Sequence, residues 1–218
     1  AYMDSGELKG IEVENAREVA RIMGRTVEFV EMPLVKFVPS LEIDRVDVVM
    51  SGFTVTAERS ESVDFVDPFM LIGQMAIVRT RDVVDLSHPD AMYKPGLRIA
   101  VQPDTTGQAF ADKEYKKALI QNFPDNERAF NALRKNISDV YLHDAPTSWG
   151  LWKDGANKDL FSLARPLTEE GLAWAVRKGN RWLLQELNNA LAEIRASGKL
   201  LEIQNRWIPA ADPLPVTN

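Results

Sequence analysis

Helix-like and strand-like stretches alternate from Gly10 to Met50, pause around Asp67-Pro68-Phe69, and resume from Ile99, a pattern that predicts an α/β protein. Two further observations predict that it has two lobes. An apolar run from Phe69 to Val78 carries the chain out of the first lobe, and an amphipathic stretch from Trp182 to Ala196 brings it back after Thr168 to Gly171. The first lobe is then discontinuous, 1–71 plus 168–218, and the second spans 72–167. Two crossings make a hinge, and a cleft between such lobes gathers the carboxyl ends of both sets of strands, where open α/β sheets bind their ligands.

The elements follow in order. Ile11, Val13, Ala16, Val19, Ala20, Ile22 and Met23 recur at helical spacing and Gly24 stops the run, so 10–24 reads as a helix. Thr26 to Val30 is rich in β-branched and aromatic residues and reads as a strand; Phe37 to Leu41 reads as a short helix near Pro39, and Val46 to Met50 as a buried strand. In the second lobe the expected elements are a strand at Ile99 to Val101, a helix from Thr106 to about Ala118, a helix from Glu127 to Arg134 and a strand at Val140 to Leu142. The proline-rich tail after Trp207 reads as irregular.

The most informative stretch is Ser51-Gly52-Phe53-Thr54-Val55-Thr56-Ala57-Glu58-Arg59, followed by Val63-Asp64-Phe65-Val66-Asp67-Pro68-Phe69. It joins an apolar strand to a polar loop ending in one arginine, and a planar guanidinium beside exposed backbone and hydroxyl groups suits two-pronged capture of a carboxylate. Four more motifs follow the same order as in one known family: Asp4 to Ile11, Arg98 to Thr106, Ser138 to Asp144, and the closing pair Gly171 to Gly179 with Gly198 to Trp207. Together they resemble the type II periplasmic solute-binding proteins, in particular the polar amino-acid-binding family (bacterial extracellular family 3).

That resemblance implies a Venus-flytrap fold with the ligand in the cleft, and an amino acid or similar small zwitterion as the ligand. It implies Arg59 as bidentate partner of the ligand carboxylate, with the Thr54 hydroxyl and backbone groups of Ser51 and Gly52 beside it. Thr105 and Thr106, ahead of a helix, would add N–H groups and a favourable dipole, and Asp144 would accept from the α-ammonium group. Leu34 and Phe53 match positions that face the ligand side chain. Each has a plainer reading: turn chemistry for Ser51 and Gly52, an N-cap for Thr105, Thr106 and Asp144, and core packing for Leu34 and Phe53. Asp104 stands where the family's turn carries glycine; it either caps the following helix or adds negative charge beside the ligand. Family members also open with a strand and an aromatic-bearing loop, whereas only Ala1-Tyr2-Met3 precede the first turn here, so contacts from that strand are unassigned.

Composition narrows the classes. A net charge of −6 disfavours nucleic acid, which needs a basic face. Without cysteine there are no disulfides, thiol nucleophiles or cysteine-held metals. No apolar run approaches the roughly 20 residues of a membrane span. His88 and His143 lack metal-ligand spacing, and no phosphate-loop, dinucleotide or serine-elbow motif is present, so neither metal nor cofactor is expected. The resemblance implies a monomer, made as a precursor with a signal peptide and located in the periplasm, or lipid-anchored outside a Gram-positive cell. Its partner would be the membrane permease of an ABC importer. Two other classes share the fold: the sensing domain of a receptor kinase or cyclase, and cyclohexadienyl dehydratases, in which Asp104 or Asp144 would be the general acid.

Overall fold

The computed structural model of the protein describes residues 2–4, 6–153 and 155–208; Ala1, Ser5, Asp154 and the proline-rich tail 209–218 lie outside the described residues. The chain separates into two compact units, 1–71 with 171–218 and 72–170. The return crossing falls between Glu170 and Gly171.

Unit 1 starts with an antiparallel hairpin, β1 (Tyr2–Asp4) and β2 (Glu7–Lys9), which leads into α1 (Ile11–Ile22). The helix buries Val13, Ala16 and Val19, the spacing that the sequence shows. A 3-10 turn at Leu34–Lys36 runs into α2 (Phe37–Glu42), and β3 (Val48–Val49) is a short buried strand. The strand expected at Thr26 to Val30 does not form. Val27, Phe29 and Val30 are 38%, 40% and 42% exposed, and no described strand pairs with them. β propensity is expressed only against a neighbouring ladder, and here the neighbour is lacking among the described residues.

The polar loop expected before Arg59 is in part a helix, α3 (Ala57–Ser62), capped by the Thr56 hydroxyl, which accepts from Arg59 N at 3.1 Å. Then come β4 (Val63–Phe65) and β5 (Met70–Ile72).

Unit 2 is built on a five-stranded mixed sheet. Its strand β6 (Gln74–Arg79) is buried at every position because helices cover both faces. After the short α4 (Val83–Leu86), β7 (Arg98–Val101), α5 (Thr106–Glu114), β8 (Leu119–Asn122), α6 (Asn126–Arg134) and β9 (Val140–Asp144) form two parallel crossovers. The helix expected from Thr106 to Ala118 ends at Glu114. Tyr115 turns inward against Phe110 and Tyr93, ring to ring at 5.6 and 5.3 Å, and the apolar Leu119-Ile120 then joins the sheet as a strand that the sequence reading missed. α7 (Ala145–Lys153) and β10 (Leu160–Ser162) complete the sheet, ordered β10-β6-β9-β7-β8. Alternate residues feed two cores: Ala76, Val78, Ile99 and Leu142 on one face, Ile77, Ala100 and Tyr141 on the other.

The returning chain supplies β11 (Glu170–Leu172), which pairs with β5, and β12 (Ala175–Arg177), the middle strand of a β3-β12-β4 sheet. α8 (Arg181–Ala196) and α9 (Lys199–Trp207) pack with α1. Trp174, fully buried, stacks on Phe69 at 5.6 Å.

Candidate functional site

Unit 1 brings Phe53, Thr54 and Arg59 together. Phe53 is 4% exposed and lies in a core of Leu41, Val49, Val63 and Ala175, with Leu34 half-buried against it. Full burial of such a ring contributes about 1.5–3 kcal/mol, so packing is its first role. Its face has a second one: the Arg59 guanidinium lies 4.2 Å from the ring centroid. Arg59 Nη1 also donates to the Thr54 carbonyl at 2.9 Å. Ring and carbonyl hold the guanidinium, and the cap holds the backbone that carries it, which lowers the entropy lost when such a fork grips an oxyanion. Thr54 is itself buried and bridged to Leu172, and Ser51 is exposed.

Gly52 differs from expectation. It holds a left-handed φ of 59°, and its N–H donates to Glu12 Oε1 at 2.8 Å instead of standing open. Glu12 Oε2 accepts from the Trp174 indole at 3.0 Å and from Asn15 at 3.4 Å. Burial pushes the Glu12 carboxyl above its ordinary range, and these three donors only partly pull it back. Nothing local marks Glu12 out, because its contacts span 40 and 162 residues of chain.

In unit 2 the parallel strands β7 and β9 end at the same sheet edge, and the remaining candidates lie there. Thr105, not Asp104, caps α5: its hydroxyl accepts from Gln108 N at 3.2 Å and donates to the Gln102 carbonyl at 2.7 Å. Asp104 sits in left-handed conformation with φ 62°, its N–H donating to Gln108 Oε1 at 2.9 Å, and its side chain is exposed. That backbone geometry explains the glycine customary at this turn, and aspartate is among the residues that tolerate it. The reading of Asp104 as the cap is therefore corrected.

Thr106 opens α5, and its hydroxyl donates to Glu170 Oε2 at 2.7 Å while accepting from Gln74 Nε2 at 3.1 Å. Asp144 ends β9, with its side chain 22% exposed. Its Oδ1 lies 2.6 Å from His143 Nδ1 and accepts from the Thr147 hydroxyl at 3.0 Å and from Thr147 N at 3.4 Å, the last being the capping contact for α7. The other imidazole nitrogen, Nε2, lies 3.1 Å from Gln102 Oε1. Burial raises the Asp144 carboxyl, but the imidazole of His143 and the Thr147 donors outweigh it and hold the group below the usual carboxylate range. Glu170 and Gln74 are the groups at this edge that sequence reasoning passed over, and His143 was weighed only as a metal ligand. His143, adjacent to Asp144, was the one visible signal. Among the described residues no cluster of acids and histidines is arranged to hold a metal ion.

The chain thus forms two α/β units, one with an oriented arginine and one with an ionised aspartate at a strand end. The chain belongs to the bacterial extracellular solute-binding proteins, family 3, which match residues 1–210. It is 27% identical over 207 residues to the glutamine-binding protein of an ABC transporter from Bacillus subtilis, covering 94% of this chain and 74% of that one. Among solved structures, a binding component of an ABC transporter from Wolinella succinogenes, complexed with lysine, superposes with TM-score 0.89 at 26% identity over 96% of this chain and 90% of that one. An ancestral amino acid-binding protein, a precursor of cyclohexadienyl dehydratase, does so with TM-score 0.86 at 30% identity over 95% and 88%. The family places the protein outside the cytoplasm, and among the described residues no helix is long and apolar enough to cross a membrane.

Proposed function

We propose that the protein captures an amino acid in the periplasm, or while lipid-anchored at a Gram-positive surface, and as a monomer hands it to the permease of an ABC importer. The observation that carries this reading is Arg59, fixed by the Phe53 ring, the Thr54 carbonyl and the Thr56 cap. A guanidinium oriented in advance binds a carboxylate through two parallel hydrogen bonds at little entropic cost. Arg59, with Thr54, takes the ligand carboxylate, and Asp144, which stays ionised at neutral pH, takes the ammonium.

The same ionisation supports binding over dehydratase chemistry. A general acid must carry a proton near neutral pH, and His143 with Thr147 keeps the Asp144 proton off. Calorimetric titration against the twenty amino acids, after unfolding and refolding to strip carried-over ligand, tests the reading. Saturable binding of at least one amino acid at micromolar concentration or below is expected. Binding of a different solute class, with no amino acid bound at millimolar concentration, would overturn it.

A further inference from the structure

The end of β9 carries a group that can change its charge beside the ammonium partner named above. His143 precedes Asp144, and its Nδ1 meets three atoms of opposite kinds. The Asp144 N–H at 2.9 Å and the Thr147 hydroxyl at 2.8 Å can each donate to it, whereas the ionised Asp144 Oδ1 at 2.6 Å can only accept. The other nitrogen, Nε2, faces the acceptor Gln102 Oε1 at 3.1 Å. A neutral ring therefore keeps its proton on Nε2 and takes donors at Nδ1, while a protonated ring gives its second proton to Asp144 Oδ1. The Thr147 hydroxyl serves both states, standing 2.8 Å from Nδ1 and 3.0 Å from Oδ1.

The carboxylate is divided in a matching way. Every hydrogen bond of the Asp144 side chain among the described residues falls on Oδ1, and the side chain is 22% exposed, so Oδ2 is the oxygen left to a ligand. The groups around the ring keep one charge near neutral pH. Met75 is its ladder partner on β6, Gln102 follows β7, and α7 offers Thr147. The Tyr141 ring lies 5.4 Å away; burial pushes its phenol up, and its hydroxyl donates to Asn126 of α6. Asp104 before α5, Glu170 on Thr106 of α5, and the Asp125–Arg128 pair at the start of α6 are the other charged groups at this sheet edge. Carboxylates as a class titrate at about pH 4, and guanidinium groups stay charged throughout.

We propose that His143 is a positioning residue for the ligand ammonium that acts through Asp144, leaving the carboxylate to the ligand when the ring is neutral and claiming it when the ring is protonated. The inference rests on the reading of Asp144 given above and goes further in making capture depend on pH. Imidazole is the side chain that ordinarily changes charge between about pH 5 and 8. A protonated ring in contact with Oδ1 both neutralises the carboxylate and repels an ammonium beside it. Ligand binding therefore drives the ring proton off, and acid weakens binding.

The test is calorimetric titration of the refolded protein at pH 5.5 and 7.5 with the amino acid that binds tightest at pH 7.5. Histidine and cysteine are left out, because their own side chains titrate in this range. Affinity is expected to be at least about tenfold lower at pH 5.5, the scale of one extra positive charge beside the ligand. Titrations at pH 6.5 in buffers of different ionisation heat are expected to show net proton release on binding. His143→Gln keeps a donor and an acceptor without a titrating ring, and its affinity is expected to differ by less than about threefold between the two pH values. His88→Gln removes the chain's other histidine and is expected to keep the full difference. Equal affinity of the unmodified protein at both pH values, or binding without proton release, overturns the inference whether or not either variant folds. So does a His143→Gln protein that keeps the difference, or a His88→Gln protein that loses it. Binding of no amino acid at either pH overturns the amino-acid reading together with this one, whereas amino-acid binding that is indifferent to pH overturns this one alone.

Discussion

In unit 1 the candidate cation rests on an apolar core: Arg59 lies on the ring of Phe53, itself packed among Phe37 and Phe65 at 5.8 and 5.6 Å. In unit 2 the carboxylates Asp144 and Glu170 hang on chains of side-chain hydrogen bonds, Gln102 to His143 to Asp144 to Thr147 and Gln74 to Thr106 to Glu170. The difference predicts how each tolerates change. Truncating the cation removes its contacts with the Phe53 ring and the Thr54 carbonyl but leaves the core intact, whereas a change to any member of the unit 2 chains shifts its neighbours, because members of a shared network do not act additively.

The largest expected effect is on the unit 1 side. Arg59→Ala should cost about 2–5 kcal/mol of ligand affinity, roughly 30- to 5000-fold in Kd, while the melting temperature changes little. A folded variant with unchanged affinity in calorimetry would remove Arg59 from the binding machinery.

Gly107→Ala breaks the comparison from the other side without touching a charged group. The added methyl meets Gln74 Oε1 at 2.6 Å, so Gln74 must swing away from Thr106. Overpacking of this kind costs about 1–3 kcal/mol of stability. Urea denaturation should show that loss, and titration should show weaker ligand binding alongside it, because Thr106 and Glu170 lose their anchor. Full affinity in a destabilised variant would mean that the Gln74 chain serves folding alone.

The two units also differ in pH response. Asp144 has a folded pKa below its ordinary value of 3.8, so its contribution is present above that value and is lost as pH falls through the lower folded one. Glu12 is shifted the other way. Its protonated form is favoured by folding, so its contribution is complete below 4.5 and declines as pH rises through the higher folded value. Melting curves from pH 2 to 7 should therefore lose part of their acid slope in Asp144→Asn and part of their slope above pH 4.5 in Glu12→Gln. An unaltered profile in either variant contradicts the assignment for that residue.

The smallest effect is expected at Asp104. Glycine there relieves a left-handed backbone that costs a non-glycine residue energy, but it also frees the unfolded chain, and the two terms nearly offset. Asp104→Gly should melt within about 0.5 kcal/mol of the unmodified protein in chemical denaturation. A drop of more than about 1 kcal/mol would restore the capping role that the structure gives to Thr105.

What the sequence made legible was local. Apolar residues at helical spacing marked α1 and α8, and the ordered motifs placed Arg59, Thr106 and Asp144 at strand ends or helix starts. The failures are non-local. Thr26 to Val30 had the composition of a strand but lacks a partner among the described residues, and the turn at Tyr115 depends on two aromatic neighbours, one of them 22 residues earlier. Glu170 sits 64 residues from Thr106, and Glu12 sits 162 from Trp174, so no spacing rule could pair them. Asp104 shows the intermediate case: the departure from glycine was visible, and only its φ decided what it meant.

The most direct test of the central claim leaves the protein unmodified and alters the ligand. The tightest-binding amino acid and its primary amide, which differ only in the charge of the carboxyl group, are titrated into the refolded protein. If Arg59 grips the carboxylate, the amide should bind at least about 30-fold more weakly, about 2 kcal/mol. Equal affinity for the two would contradict carboxylate capture by Arg59, and with it the account of how this protein holds its ligand.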